Sequence, residues 1–268
     1  MTLSQHLKRN VTSAVRAAHL ALAPAQLPNK LSIYFHPLEK ADRPAFRDAI
    51  TGLADRGYRF VTPDGFVSAS PDDKVLFVSF DDNYNSWHES LPLLDDLQLK
   101  ATFYVNSGVF ADRASTPDIT AYFDRIVHTG ERLTLTTTQL REMRAAGHRI
   151  AAHTRTHLNL GALPCARWDD EILGSKNDLE DVPGEAVEDF SYPFGMPRFF
   201  SEDLRAYCQD IGFKTIADAT PGMLFADAQA NKIPRTAWRF DTSEADNLRN
   251  LCVDARLFTS LTGRSAVG

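Results

Sequence analysis

Strand-like and helix-like segments alternate along most of this chain, which restricts the folds open to it. The clearest strand is KVLFVSF at residues 74–80, because valine and phenylalanine favour the extended backbone of a sheet. The other predicted strands are at residues 31–35, 59–61, 101–105, 149–152 and 190–192. The predicted helices are at residues 44–56, 90–97, 136–146, 169–179 and 202–211. This order predicts parallel strands joined by crossover helices, in either a barrel or an open doubly wound sheet.

The composition is that of a folded protein. The 268 residues are 43% hydrophobic and 24% charged, and they are enough for one large α/β domain, which we expect to span residues 1–268. The formal net charge of −6 gives no attraction to phosphate backbones, so we predict no nucleic-acid partner. Three widely spaced cysteines, Cys165, Cys208 and Cys252, form no CxxC pair and predict buried thiols in a reducing compartment.

Residues 1–28 predict an N-terminal helical extension. Apolar residues recur there at helical spacing, namely Leu3, Leu7, Val11, Ala14 and Ala18. We expect this helix to pack on the outside of the domain, with a peripheral contact to a membrane surface as the alternative. The apolar run is too short for a signal peptide, and no stretch of about 18 apolar residues occurs. These features predict a cytoplasmic protein.

Residues 110–135 interrupt the alternation of strands and helices. The stretch is polar and contains Pro117 and Gly130, so we expect an inserted loop near a strand end, with a short helix around residues 122–128 as one option. The tripeptide Pro63, Asp64 and Gly65 predicts a turn after the strand at residues 59–61.

Two adjacent carboxylates, Asp81 and Asp82, directly follow the clearest strand. Placing both at the end of a buried strand is costly unless positive charge compensates them. A bound metal ion or a solvated surface turn would each meet that requirement, and the pair alone does not choose between them.

Two further segments that could take part in binding or catalysis also lie at predicted strand ends. In HTRTH, His153 and His157 are spaced so that a tight turn or helix can aim both imidazoles at one ion, although structural histidines are also common. With one carboxylate they form a ligand set that leaves positions open for water and substrate. In SYPFG, at residues 191–195, the proline and glycine predict a sharp turn that exposes a backbone N–H.

The order FDD, HTRTH and YPFG resembles the polysaccharide deacetylase family, which shares the NodB homology domain and is also described as carbohydrate esterase family 4. The likeness extends over residues 31–238 and includes the segments at 91–105, 135–157, 174–176 and 233–235. The nearest subgroup is the one with an N-terminal YH-type motif and a YPFG motif. The resemblance implies a distorted (β/α) barrel with its site at the carboxyl ends of the strands.

The resemblance also implies residue roles. Asp82, His153 and His157 would hold a divalent metal ion, most commonly Zn²⁺, and Asp81 would be the general base. The backbone N–H of Phe194 would stabilise the oxyanion. Physical chemistry agrees with these roles, because a cation lowers the pKa of a bound water and polarises the acetyl carbonyl. Asp81 beside that cation would stay ionised and able to take up a proton.

A general acid must protonate the leaving amine, and His36 is the candidate. Many family members use a histidine late in the chain, but none occurs here after His157. His36 follows the first predicted strand and resembles the histidine of the YH motif, which implies the acid role. A structural histidine at a strand end is the alternative.

Two departures from the family pattern concern positions 83 and 191. Asn83 stands where glycine is usual, and asparagine tolerates left-handed backbone geometry, so we expect it to preserve the turn. Ser191 replaces the arginine that usually pairs with the base. Arg235 could supply that charge from another strand, or it could be a surface arginine.

The expected reaction is hydrolysis of an acetamido group on an N-acetylated carbohydrate, in bacterial envelope glycan synthesis such as O-antigen or capsule assembly. An amide hydrolase for a small non-sugar substrate and a non-catalytic glycan-binding protein are the alternatives. Tyr84, Trp87 and Trp238 could stack on sugar rings or belong to the core.

Overall fold

The fold is described by a computed structural model. It covers residues 26–182, 184–221, 225 and 228–253. The helical extension predicted for residues 1–28, and with it the membrane contact, lies outside these residues except for positions 26–28. Within the described part of the chain, no helix is both long enough and apolar enough to cross a bilayer.

Strands and helices alternate as expected from the sequence. The strands are β1 (Lys30–Phe35), β2 (Arg59–Val61), β3 (Val75–Asp82), β4 (Thr102–Val105), β5 (Arg149–Ala152), β6 (Asp189–Ser191), β7 (Thr215–Ala217) and β8 (Thr236–Ala237). The helices are α1 (Arg43–Asp55), α2 (Pro63–Ser68), α3 (Asn85–His88), α4 (Leu91–Asp96), α5 (Thr116–Arg125), α6 (Thr137–Ala145), α7 (Gly174–Asp181), α8 (Glu202–Asp210) and α9 (Glu244–Leu251). A π-helical turn, Asp169–Leu173, leads into α7. Short 3₁₀ turns lie at Ser107–Val109, Leu160–Ala162, Cys165–Arg167 and Pro197–Phe199.

The strands form one parallel sheet in the order β7-β6-β5-β4-β3-β1-β8. The long strand β3 pairs with β1 along one edge, while its other edge pairs first with β2 and then with β4. Every β3 residue is buried, as expected for a central strand covered by helices on one side and by the barrel interior on the other.

The segment at residues 233–237 brings the two outer edges of the sheet together. Ile233 forms a parallel bridge with Ala217 of β7, and Thr236 and Ala237 in β8 pair with β1. The sheet therefore curls into a distorted barrel, and this short segment forms its seam. The predicted fold class is confirmed, and the barrel rather than the open sheet is correct.

Aromatic packing holds the first strands to the helical layer. Phe80 stacks on Phe35 and on Phe103, with ring centroids 5.3 and 4.9 Å apart, and Phe46 of α1 covers Phe35 at 5.0 Å. All four side chains are essentially inaccessible to solvent. Burial of each such side chain contributes about 1.5–3 kcal/mol, so the strand that carries Asp81 and Asp82 is firmly anchored.

Several local predictions are wrong. The turn predicted at Pro63 is the start of helix α2, because Thr62 caps it by accepting a hydrogen bond from Gly65 N–H. The inserted stretch at residues 110–135 contains helix α5, which begins six residues earlier than the optional helix at residues 122–128. Proline is compatible with the first turn of a helix, and Ser115 caps α5, so Pro117 begins a helix rather than breaking one.

Strands β7 and β8 and helix α9 were not predicted. Strand β8 has only two residues, too few to show a pattern of hydrophobicity, and β7 has three. Cys208 and Cys252 are buried as predicted, whereas Cys165 is exposed in a 3₁₀ turn.

Candidate active site

The polar residues singled out in the sequence meet at the carboxyl edge of the sheet. Asp81 and Asp82 end β3, His153 directly follows β5, and Ser191 ends β6. His36 directly follows β1. Because all paired strands are parallel, their carboxyl ends open on the same side of the barrel, where sites of such folds are built.

Asp82, His153 and His157 form a compact cluster. The Asp82 Oδ1 atom lies 3.7 Å from His153 Nε2 and 3.3 Å from His157 Nε2. One ligand atom from each residue lies within 4.8 Å of the others, and all three side chains are buried. Two imidazoles and one carboxylate oxygen at this spacing can surround a single divalent cation.

The hydrogen bonding around the cluster fits a bound cation. Asp82 Oδ1 is buried yet has no hydrogen-bond partner among the described residues, which is costly for a carboxylate oxygen unless a cation faces it. His153 Nδ1 lies 2.7 Å from the Ser191 carbonyl oxygen. We therefore assign the proton to Nδ1, which leaves Nε2 free to bind an ion. The donor set fits zinc as well as other divalent ions.

Burial keeps both histidines in the form that can bind metal. Loss of solvation lowers the pKa of the His157 imidazole to about 4 and also lowers the pKa of His153. An imidazole must be neutral to act as a metal ligand. Both side chains are therefore ready to bind an ion at neutral pH.

Unusual backbone geometry is concentrated around this cluster. Asp82, Thr154, His157 and Phe194 have positive φ angles of 90°, 66°, 59° and 66°. Such angles are uncommon for residues other than glycine and are maintained only where surrounding contacts enforce them. The positive φ that we expected at Asn83 is instead at Asp82.

Asn83 and Asn106 connect the loops that carry the cluster. The Asn83 side chain donates to the Asn106 carbonyl oxygen at 2.9 Å and accepts from the Leu135 N–H at 2.8 Å. Asn106 Nδ2 donates to the His153 carbonyl oxygen, and Tyr122 donates its hydroxyl to Asn106 Oδ1 at 3.0 Å. These bonds, rather than left-handed backbone geometry, explain asparagine at position 83. Sequence reasoning missed Asn106, although its place directly after β4 was a usable signal.

Asp81 is paired with Arg235, which is buried rather than on the surface. Arg235 donates from Nη1 and Nη2 to the two Asp81 carboxylate oxygens at 2.6 and 2.8 Å. It also donates to the Ser79 and Ser191 hydroxyls at 2.9 and 2.6 Å and to the Asp218 carbonyl oxygen at 3.0 Å. Arg235 therefore supplies, from the barrel seam, the positive charge beside Asp81 that Ser191 does not carry.

The guanidinium of Arg235 lies over two aromatic rings, those of Tyr34 and Tyr104, each with its centroid 4.8 Å away. Burial by itself raises the pKa of the Asp81 carboxyl. The charge and hydrogen bonds of Arg235, together with His153, outweigh this effect and hold the pKa of Asp81 below its usual value. Asp81 is therefore ionised at neutral pH.

His36 lies at the exposed rim of the site. Its carbonyl oxygen accepts a hydrogen bond from Trp87 Nε1 at 2.7 Å, and its ring meets the Tyr34 ring edge-on at 5.4 Å. The side chain is exposed, and its charge is among those that lower the pKa of Asp81. His36 is thus open to a ligand at the edge of the sheet that also carries Asp81.

Phe194 lies on the loop that follows β6, with its ring 5.1 Å from the His157 ring and 44% exposed. Its backbone N–H has no hydrogen-bond acceptor among the residues described. The next residue, Gly195, also has a positive φ, and an added Cβ there would overlap the Ala219 side chain. The loop is therefore held close against its neighbour, with one N–H available for a ligand.

The three aromatic residues considered for sugar stacking are core residues. Tyr84, Trp87 and Trp238 are 3%, 1% and 7% exposed, so none presents a ring face to solvent.

Comparisons with known proteins point to one family. The profile of the polysaccharide deacetylase family matches residues 68–216, more than half of the chain. YxkH of Bacillus subtilis (strain 168), whose own assignment as a polysaccharide deacetylase is provisional, is 24% identical over 216 residues. The match covers 76% of this chain and 68% of YxkH.

Two solved structures share the fold. The Streptococcus pyogenes deacetylase PplD, in complex with acetate, superposes with a TM-score of 0.65 at 19% identity, covering 84% of this chain and 99% of that one. IcaB from Ammonifex degensii superposes with a TM-score of 0.58 at 18% identity, covering 84% and 97%. With the fold, the motif residues and the matched profile in agreement, the chain belongs to the polysaccharide deacetylase family of hydrolases.

Proposed function

We propose that this protein uses a divalent cation, with Zn²⁺ as the expected ion, to remove the acetyl group from an N-acetylated carbohydrate. The observation that carries the proposal is the buried Asp82 Oδ1 atom, which faces two histidine nitrogens and has no hydrogen-bond partner among the described residues. The cation, when bound by Asp82, His153 and His157, would polarise the acetyl carbonyl and lower the pKa of a nearby water.

Asp81 is the proposed general base. It lies beside the ligand Asp82, is ionised because of Arg235, and can take a proton from the attacking water. Arg235 is itself buried and lies over the rings of Tyr34 and Tyr104, so it keeps the carboxylate in one orientation. We assign Arg235 the role of positioning the base, since it reaches the reaction through Asp81.

Phe194 and His36 complete the proposed machinery. The Phe194 N–H would donate to the oxyanion that forms when water attacks the carbonyl carbon. His36, whose side chain is exposed, would protonate the leaving amine as the C–N bond breaks. The products are acetate and a free amino sugar.

We also propose a subgroup and a biological setting for this protein. The YH-type motif at residues 34–36 and the YPFG motif support placement in the subgroup that carries both. The setting we propose is a cytoplasmic step of envelope glycan synthesis, with a nucleotide-linked, lipid-linked or oligomeric N-acetyl sugar as substrate, and the family resemblance supports the glycan part of this proposal. Cell fractionation, together with glycan analysis of a deletion strain, would test both points.

The central experiment measures metal content and acetate release on the full chain. The purified protein should contain about one equivalent of a divalent ion and release acetate from chito-oligomers or from nucleotide-activated N-acetylhexosamines. A chelator should abolish the activity, and Zn²⁺ should restore it.

Asp81→Asn is the matched variant, since it should keep the ion and lose the activity. A protein that binds metal but releases acetate from no sugar would contradict the carbohydrate substrate and favour a small-amide substrate. A protein that binds glycan, and shows no turnover with any divalent ion, would contradict the enzyme assignment.

A further inference from the structure

Tyr84 makes the two oxygens of Asp82 chemically different. Its hydroxyl donates a hydrogen bond to Asp82 Oδ2 at 3.0 Å, and both residues are buried. The other oxygen, Oδ1, has no such partner in the described part of the chain and faces His153 and His157. One carboxylate oxygen is thus held by the protein, and only the other is free to face an ion.

Residues of the inserted stretch hold Tyr84 in place. Its ring lies 5.0 Å from the His128 ring and 6.1 Å from the Phe123 ring, and on another side it meets Trp87 edge-on at 5.7 Å. The backbone next to it is also tied to this stretch, because Asn85 N–H donates to the Leu133 carbonyl oxygen at 2.8 Å. A ring packed on several sides keeps its hydroxyl in one direction.

We propose that Tyr84 is a positioning residue that makes Asp82 a single-oxygen ligand. This inference rests on the proposed metal-dependent function. A carboxylate can bind an ion through one oxygen or through both, and a second Asp82 oxygen would fill a coordination position that substrate and water need. With Oδ2 engaged by the Tyr84 hydroxyl, the carboxylate stays turned so that Oδ1 alone points at the histidine nitrogens.

The test is Tyr84→Phe, which removes the hydroxyl and keeps the ring. Affinity for Zn²⁺ and Co²⁺, measured by competition with a chromophoric chelator, should fall about 10- to 100-fold, as is typical when the hydrogen-bond partner of a metal ligand is lost. The visible absorption of the Co²⁺ form should weaken and shift toward that of a higher coordination number, because the freed Oδ2 can turn to the ion.

Tyr207→Phe is the matched control. Tyr207 also donates its hydroxyl to a carboxylate, Asp169, but it lies on α8 and packs against Trp168. Its loss should leave metal affinity and the Co²⁺ spectrum unchanged. Thermal unfolding of both metal-free variants separates a general loss of stability from a change confined to the ion site.

The outcomes distinguish this inference from the proposed function. If wild-type protein binds the ion and Tyr84→Phe binds it equally well with the same Co²⁺ spectrum, the positioning role is overturned while metal dependence stands. If the wild-type protein binds no divalent ion, both are overturned. A lower affinity with an altered spectrum, seen in Tyr84→Phe and absent in Tyr207→Phe, supports the role.

Discussion

Replacing Arg235 with methionine should strongly destabilise the metal-free protein at neutral pH. The substitution leaves the Asp81 carboxylate in a site where it is 5% exposed, without the two hydrogen bonds that Arg235 donates to it. Removing one partner of a buried ion pair typically costs about 3–5 kcal/mol of the free energy of unfolding, because the remaining charge is uncompensated. Methionine keeps part of the packing against Tyr34 and Tyr104.

The loss of stability in Arg235→Met should become smaller as the pH falls. In the wild type the pKa of folded Asp81 lies below its unfolded value of about 3.9. Ionised Asp81 therefore contributes stability above that unfolded value, and the contribution is lost as the pH falls through the folded pKa. In Arg235→Met, burial without the arginine raises the pKa of Asp81, so the difference between variant and wild type should shrink as the solution is acidified.

Urea denaturation of metal-free protein at neutral pH and near pH 4, followed by circular dichroism, measures both effects. Arg239→Met is the matched control, because Arg239 also pairs through two bonds with a carboxylate, Asp241, but in solvent. The double variant Arg235→Met with Asp81→Asn should recover part of the stability at neutral pH. Two results would contradict this prediction: a loss of stability in Arg235→Met no larger than that in Arg239→Met, or a loss of stability in Arg235→Met that is the same at both pH values.

Three further predictions concern other parts of the site. His36→Gln should lower kcat about 10²- to 10⁴-fold with unchanged metal content, and an unchanged kcat in steady-state assays would remove His36 as the acid. The affinity for the metal ion, measured by titration, should stay constant as the pH falls below 6.5 and decline only toward pH 4, because burial lowers the pKa of His157 to about 4. Release of the ion near pH 6.5, the ordinary pKa of histidine, would contradict this prediction. Gly195→Ala should reduce the midpoint of urea denaturation more than Gly212→Ala does. Both positions have a positive φ, but only at Gly195 would the added methyl group overlap a neighbour, Ala219. Equal losses would show that backbone strain alone acts.

The sequence by itself determined the order of elements and the chemical types at the site. Strands such as β3 are readable because continuous burial selects valine and phenylalanine. Asp81, Asp82 and His153 could be singled out because each stands at a strand end, and parallel strands bring those ends to one edge. His157 could be added because it follows His153 at a spacing that suits a shared ion. The family motifs then supplied the expected role of each residue.

Only the tertiary structure decided which groups contact one another. Arg235 is 154 positions from Asp81 along the chain, and its contact with Asp81 depends on how the sheet curls until residues 233–237 touch both edges. The same applies to the Tyr84 hydroxyl on Asp82 Oδ2 and to the positive φ at Asp82, neither of which leaves a pattern in the residue types. Local propensity and periodicity act over a few neighbouring residues, whereas the side chains of this site are oriented by contacts between distant segments.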